Sequence, residues 1–467
     1  MIIEQLYTGC LAQGAYYIES NGEAAIIDPL RETSPYVRKA EKAGATIKYV
    51  FETHFHADFV SGHLDLAQKT GATIVYGPNA NTTYDAYHAQ DGEQFTLGDV
   101  RIKALHTPGH TRESTTYLLI DERGKDHAIF TGDTLFIGDV GRPDLAIKGD
   151  LTERDLAGML YDSLHSKIMP LADEVIVYPA HGAGSACGKN MSKETTDTLG
   201  NQKRFNYALR AKSKTDFIEQ VLDGLTAAPA YFAENARLNK EGYESLDRVL
   251  KRSSQPLSPE AFEAAVNETG AVVLDVREAA DFAKGFIPNA INIGLNGQFA
   301  PWVGGLIPDL TQPIALVTPA GLEQETIVRL ARVGYDNCIG YLDGGFSSWQ
   351  TAGNEIDSIE SISAEEFADR WQESHSLSIV DVRKPGEFGT EHIEGAENVP
   401  LDTINDHLAE LNRTEPVYVH CAGGYRSMVA NSILKARGFD NVINVEGGLA
   451  AIKKTAVPVI AQTGVVH

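Results

Sequence analysis

Short apolar runs, each ending at a polar residue, recur along the first part of the chain. They cover Ala24 to Asp28, Ile47 to Glu52, Val100 to Leu105, Thr115 to Ile120, Ala128 to Thr131 and Glu174 to Tyr178. Their length and pattern predict strands. Apolar positions three and four apart predict helices over Pro35 to Ala43, Val60 to Lys69 and Glu153 to His165. Some strands follow one another with no helix between, so a layered, mixed α/β fold is expected rather than strict strand–helix alternation. From Asn201 to Arg252 the pattern turns helical and charged. This segment reads as the tail of a first domain, 1–252, and a connector. Ser253-Ser254-Gln255-Pro256 marks a boundary.

The remainder repeats itself. Val273-Leu274-Asp275-Val276-Arg277 returns as Ile379-Val380-Asp381-Val382-Arg383, Asp281-Phe282 as Glu387-Phe388, and Asp343-Gly344-Gly345 as Glu446-Gly447-Gly448. Two copies of about 100 residues mean tandem domains, expected over 256–354 and 358–467, because a solenoid needs three or more shorter units. Each copy alternates strands with helices, the pattern of a parallel-sheet α/β domain.

The length of 467 residues fits about three domains. Asp and Glu outnumber Lys and Arg by 64 to 40, a formal charge of −24, which argues against nucleic acid or anionic membrane as the main partner. Four cysteines exclude a disulfide framework and fit a reducing compartment. The start, Met1-Ile2-Ile3-Glu4-Gln5, lacks the basic and apolar regions of a signal peptide, and no stretch is apolar for long enough to span a bilayer. A cytoplasmic protein is expected.

Four polar motifs each follow a predicted strand: Thr53-His54-Phe55-His56-Ala57-Asp58, Thr107-Pro108-Gly109-His110, Thr131-Gly132-Asp133 and Tyr178-Pro179-Ala180-His181. Strand ends are where α/β folds present functional groups, and His with Asp suits zinc or ferrous iron. Alone, an HxH pair is as often two hydrogen-bonded loop histidines; four motifs in order favour a metal site.

This set resembles the metallo-β-lactamase superfamily, whose motif usually reads THxHxDH. Here Phe59 stands in place of the last His, which in two-metal members binds the second ion. The resemblance therefore implies a single metal in an αββα sandwich. It is similar to the persulfide dioxygenases, which implies one Fe(II) held by His54, His110 and Asp133, with His56, Asp58 and His181 orienting ligands or handling protons. Spacing leaves His56 open as a fourth ligand. Arg142 is expected to bind an anionic substrate or to hold the site together. Past His181 the chain reads Gly182-Ala183-Gly184-Ser185-Ala186-Cys187-Gly188-Lys189, without the Asp-Tyr of the glutathione-using dioxygenases. Cys187, on a Gly-rich loop with Lys189 nearby, is expected to have a lowered thiol pKa and to handle sulfur or sense the redox state; a small buried packing residue is the equal alternative.

At the far end, Val417-Tyr418-Val419-His420-Cys421-Ala422-Gly423-Gly424-Tyr425-Arg426 joins an apolar strand to a helix. Loop amides and a helix N-terminus converge there, which favours a thiolate or persulfide on Cys421. Gly423, Gly424 and Tyr425 would line the substrate, and Arg426 would fork onto an oxyanion. This resembles the rhodanese sulfurtransferases, with their C-x-x-x-x-R loop; related phosphatases carry a loop one residue longer. The first copy has Thr318 in place of Cys421 and Glu323 in place of Arg426, so it is expected to be inactive, spacing the active ends or mediating assembly. Cys10 and Cys338 read as packing residues on strand-like segments.

The resemblance is to fusions of a persulfide dioxygenase with one inactive and one active rhodanese domain. It implies oxidation of a low-molecular-weight persulfide by O2 to sulfite and thiol, then sulfur transfer through Cys421 to give thiosulfate, in sulfide detoxification. A homo-oligomer is plausible on this pattern. Two other readings stand beside it: a thioester hydrolase resembling glyoxalase II, and a non-catalytic sulfur carrier.

Overall fold

The computed structural model describes residues 1–145, 151–374 and 376–461. They form two compact units. The first comprises Met1–Val249 with Pro308–Leu310 and Val328–Tyr335; the second contains Leu250–Ile307, Thr311–Ile327 and the described residues from Asp336 onward. The segment Val328–Tyr335, which lies within the first repeat in sequence, is tied into the first unit. Val60 N–H donates to Arg332 O at 2.7 Å, and Arg31 Nη1 donates to Ala331 O at 2.8 Å.

In the first unit two six-stranded sheets face each other. One runs in the order Ile2–Thr8, Gln13–Ser20, Glu23–Ile27, Thr46–Phe51, Thr73–Tyr76, Tyr87–His88. The other runs Asp197–Thr198, Ile176–Pro179, Asp126–Gly132, Thr115–Ile120, Val100–His106, Gln94–Leu97. Tyr16, Phe51, Phe95, Tyr117 and Phe130 fill the space between the sheets. The outer face of the first sheet is covered by the helices Ser34–Ala43 and His63–Thr70 through Tyr36, Ala40 and Leu66. The helices Glu153–Ser163 and Lys214–Leu222 cover the second through Leu160, Phe217 and Val221. This is the expected αββα sandwich.

Two local differences from the pattern have clear causes. The helix expected from Val60 begins at His63, because Ser61 bridges to Leu30 and the chain at Gly62 runs hard against the Leu30 carbonyl, where a Cβ would sit 2.2 Å away. The strand Gln13–Ser20 is buried on both faces, so it lacks the alternation that reveals half-buried strands. Its partner Ile2–Thr8 is an edge strand with a mostly exposed face.

The second unit holds two five-stranded sheets built alike. The first runs Pro256–Leu257, Cys338–Leu342, Ile314–Val317, Val272–Asp275, Ile291–Asn292, and the second Glu360–Ile362, Val442–Val445, Val417–His420, Ser378–Asp381, Glu397–Asn398. All neighbours are parallel. The repeats touch each other: Asn292 N–H donates to Ser432 Oγ at 2.9 Å, and Tyr425 Oη donates to Gly294 O at 2.8 Å. Among the described residues, no helix is long and apolar enough to cross a membrane.

Candidate functional site

His54, His110 and Asp133 leave three separate strand ends and meet, all three side chains buried, with their ligand atoms within 4.8 Å of one another. Asp133 Oδ2 lies 3.4 Å from His110 Nε2 and 3.8 Å from His54 Nε2. The far side of each ring is fixed. Thr53 Oγ1 donates to Asp28 Oδ2 at 2.9 Å, so it accepts from His54 Nδ1–H, also at 2.9 Å. His110 Nδ1–H donates to the Arg142 carbonyl at 2.8 Å. Both Nε2 lone pairs therefore face the cluster, the arrangement that ligating histidines need. Neither carboxylate oxygen of Asp133 has a hydrogen-bond partner among the described residues. Buried acceptors left bare in this way fit a divalent cation. Burial and the three neighbouring rings hold His54 well below the usual imidazole range, as neutral ligation requires. Gly132 is required where it is: it has φ +51°, and a Cβ would lie 2.5 Å from Thr53 Oγ1, the group that orients His54.

Beside this triad, His181 Nε2 stands 3.4 Å from Asp58 Oδ2 and 3.6 Å from Asp133 Oδ1. His56, Asp58 and His181 form a second cluster of possible metal ligands, and Asp133, His181 and Cys187 a third. His56 is shared with a deeper acidic pair, its Nε2 lying 3.1 Å from Asp28 Oδ1 and 3.5 Å from Glu52 Oε2. Burial pushes the His56 imidazolium down, but the carboxylates of Asp28, Glu52 and Asp58 outweigh it and hold the ring at about 9. Phe59, fully buried, packs on the His56 ring at 4.3 Å. Asn239 Nδ2 donates to both His56 O and Phe59 O, at 2.8 and 2.7 Å, and so pins the motif.

Of the two roles expected for Arg142, the contacts fit holding the site together: its guanidinium is engaged within the protein rather than open to a substrate. Its Nε and Nη2 fork onto Asp144 at 2.7 and 2.5 Å, Nη2 also donates to Thr226 O, and only the backbone carbonyl reaches the cluster, through His110. Cys187 does reach the cluster, but burial first, and then the Asp58 and Asp133 carboxylates, push its thiol well above the usual range rather than below it. Lys189 turns away; its Nζ donates to the carbonyls of Gln220 and Asp223.

In the second repeat Cys421 follows the strand Val417–His420, and Gly424, at φ +103°, turns the loop so that its N–H donates to Cys421 Sγ at 3.1 Å. The Cys421 carbonyl accepts from Leu449 N–H at 2.7 Å, an approach so close that a Cβ on Gly448 would lie 2.3 Å from that oxygen. Gly423 lies in the same turn, and a Cβ there would meet nothing within 4 Å. Two residues depart from expectation. Tyr425 points its hydroxyl at the first repeat, onto Gly294 O, and not at the nucleophile. Arg426 forks not onto open space for an oxyanion but onto Glu387, Nη1 to Oε2 at 2.6 Å and Nη2 to Oε1 at 2.8 Å, because that carboxylate projects from the first turn of the neighbouring helix Pro385–Thr390. In the first repeat Thr318 is buried with its Oγ1 unpartnered among the described residues, and Glu323 Oε1 accepts from Gly321 N–H at 3.1 Å. Cys338 is buried on its strand, as read; Cys10 sits instead in a turn, its sulfur accepting from Arg332 Nη1 at 3.8 Å.

Comparison with known proteins matches both halves. The metallo-beta-lactamase superfamily model matches residues 8–181, and the rhodanese-like domain model matches 258–352 and 363–455. A crystal structure of a metallo-beta-lactamase from Staphylococcus aureus subsp. aureus COL is 31% identical with a TM-score of 0.64, over 73% of this chain and 98% of that one. The chain belongs to the metallo-beta-lactamase superfamily. Its metallo-beta-lactamase domain is followed by two rhodanese-like domains. Among curated relatives, the cytoplasmic hydroxyacylglutathione hydrolase of Arabidopsis thaliana is 38% identical over 28% of this chain and 53% of its own length. The mitochondrial persulfide dioxygenase of Homo sapiens is 33% identical over 34% of this chain and 59% of its own length. The chain thus spans little more than half the length of either relative.

Sequence reading missed the residues that support the metallo-beta-lactamase site from behind: Asp28, Glu52 and Asn239. Asp28 and Glu52 do close apolar strand runs, the same signal that exposed His54 and Asp133. Asn239 carries no such signal, since it lies on a helix nearly two hundred residues along the chain.

Proposed function

We propose that this chain is a persulfide dioxygenase joined to a thiosulfate-forming sulfurtransferase. The observation that carries the first half is the convergence of the His54 and His110 Nε2 lone pairs on a buried carboxylate of Asp133 that accepts no hydrogen bond among the described residues. Two histidines and one carboxylate suit ferrous iron and leave positions for substrate and oxygen. When bound there, the iron supplies the activation of O2 that oxidation of a sulfane sulfur requires. The chain's own part is to hold and to move protons. Thr53 and the Arg142 carbonyl hold the two rings by their Nδ1–H groups so that each Nε2 faces the cluster, and the wall of buried side chains keeps bulk water out.

The overall reaction is RSSH + O2 + H2O → RSH + SO3²⁻ + 2 H⁺. His181 Nε2 and Asp58 Oδ2, 3.4 Å apart beside Asp133, would accept those protons. In the rhodanese half a Cys421 persulfide meets sulfite: the bond between the two cysteine-borne sulfurs breaks, a sulfur–sulfur bond to sulfite forms, and thiosulfate leaves. The Cys421 thiolate is the leaving group, and the Gly424 N–H is placed to stabilise it. A low-molecular-weight persulfide, O2 and sulfite are then the partners.

Product analysis on the full chain, loaded anaerobically with Fe(II), is the test. Persulfide and O2 should disappear together and thiosulfate should appear. In Cys421→Ser, sulfite should accumulate in its place. Thiosulfate formed by that variant at the full rate would refute the second half. A second reading has one observation in its favour: His56, Asp58 and His181 remain gathered despite Phe59. A second ion there would suit a thioester hydrolase, as in glyoxalase II.

A further inference from the structure

The Arg426 guanidinium, placed by sequence to receive a sulfur oxyanion, already holds a carboxylate. Arg426 and Glu387 form a two-bond fork, 2.6 and 2.8 Å, with the arginine largely buried and the glutamate partly exposed. Such a fork takes up both terminal N–H directions that a bidentate oxyanion would use. The pairing holds the Glu387 carboxyl below the usual carboxylate range, so it stays charged wherever the enzyme works. Arg426 closes the same loop that Cys421 opens, five residues along the chain, at the start of the helix Tyr425–Ala436.

The molecule contains its own control. At the equivalent position of the first repeat stands Asp281, and the residue matching Arg426 is Glu323. With no arginine to hold, Asp281 pairs instead with Lys284, one turn along its own exposed helix, at 3.1 Å. The acid on the arginine therefore occurs only in the repeat that carries the cysteine. It is also not needed merely to build the helix. Glu387 does cap that helix through Lys384 N–H at 3.2 Å, but a glutamine makes the same cap.

We propose that Glu387 is an internal competitor for the oxyanion seat of the Cys421 loop, occupying Arg426 until a sulfur oxyanion such as sulfite or thiosulfate displaces its carboxylate. This rests on the sulfur-transfer reading for the identity of the anion, though not for the existence of the seat. A displaced carboxylate swings into solvent, since Glu387 is already partly exposed, and the guanidinium is then free to hold the oxyanion. The competitor scales the apparent affinity down to the intrinsic affinity multiplied by the fraction of time the seat is free. It selects for ligands that carry two oxygens in a plane and enough charge to displace a carboxylate, and against neutral thiols and halide-like anions.

The test compares wild type with Glu387→Gln and Glu387→Asp in the full chain. Inorganic sulfate serves as an inert oxyanion, read by how far it slows alkylation of Cys421 by iodoacetamide, followed on the Cys421 peptide by mass. Sulfur transfer from thiosulfate to cyanide is measured separately as KM and kcat. In Glu387→Gln the sulfate concentration for half protection should fall about three- to fivefold, the range for a partly exposed ion pair, and KM for thiosulfate should fall with it. Glu387→Asp, which keeps the charge but shortens the reach, should fall between. Half protection unchanged or raised in Glu387→Gln overturns the proposal. A wild type that turns over no thiosulfate, while the variant still binds sulfate more tightly, removes the sulfur-transfer reading and leaves the competitor standing.

Discussion

The two rhodanese-like repeats share their scaffold almost bond for bond and differ where chemistry would occur. In the first, Arg277 Nε and Nη2 fork onto Asp275 at 2.9 and 2.6 Å, and Nη2 continues to Gly285 O; in the second, Arg383 forks onto Asp381 at 2.9 and 2.6 Å and continues to Glu391 O. Asn292 and Asn398 each donate to the two carbonyls that flank these forks, at 2.9 to 3.0 Å. Above the forks the likeness ends: one tip carries Cys421, Gly424 and Arg426, the other Thr318 and Glu323. A buried fork retained without a nucleophile is a folding element, and the difference isolates the loop as the seat of any sulfur chemistry.

The sharpest way to break that comparison is at the tips. Cys421→Ser should lower sulfur transfer at least about a thousandfold, since a nucleophile has no substitute in its own loop, whereas Thr318→Val should leave transfer unchanged. An equal loss from the Thr318 variant would erase the distinction between the repeats.

The forks come next. Asp381→Asn strands a buried arginine, and breaking such a pair costs about 3–5 kcal/mol. Asp275→Asn should cost less, because Arg277 is more exposed than Arg383 and its guanidinium also lies over the Phe346 ring at 4.2 Å. All three tryptophans, Trp302, Trp349 and Trp371, belong to the second unit, so their fluorescence during urea unfolding reads this unit alone. A larger loss from the Asp275 variant would contradict the burial argument.

The smallest effect concerns the contact between repeats. Tyr425→Phe removes the bond to Gly294 O and should cost about 1 kcal/mol, read from the same tryptophan transition. A loss of sulfur transfer larger than this stability change would return Tyr425 to the substrate side.

Much of this architecture was legible because strands that end at polar residues announce themselves. His54, Asp133 and His181 each follow such a strand, and the repeat shows directly in Asp275-Val276-Arg277 and Asp381-Val382-Arg383. What the pattern did not carry was the partner of each charged group. Arg426 stands 39 positions from Glu387, and Arg142 is tied to Thr226 O, 84 positions away, so their occupation depends on tertiary packing and leaves no local trace. Cys187 fails similarly: Lys189 is its neighbour in sequence, while burial first, and then its neighbours in space Asp58 and Asp133, push its thiol pKa in the opposite direction. Short-range cues located the groups, and only the fold revealed their company.

The central claim is that the triad His54, His110 and Asp133 serves oxygen chemistry on a persulfide. Protein purified anaerobically and assayed for metal, then followed with an oxygen electrode as a low-molecular-weight persulfide is added, tests it most directly. The account predicts one iron per chain and oxygen uptake matched to the persulfide consumed, with His110→Ala losing both. Two metal ions per chain, thioester cleavage and no oxygen uptake with any persulfide would contradict it.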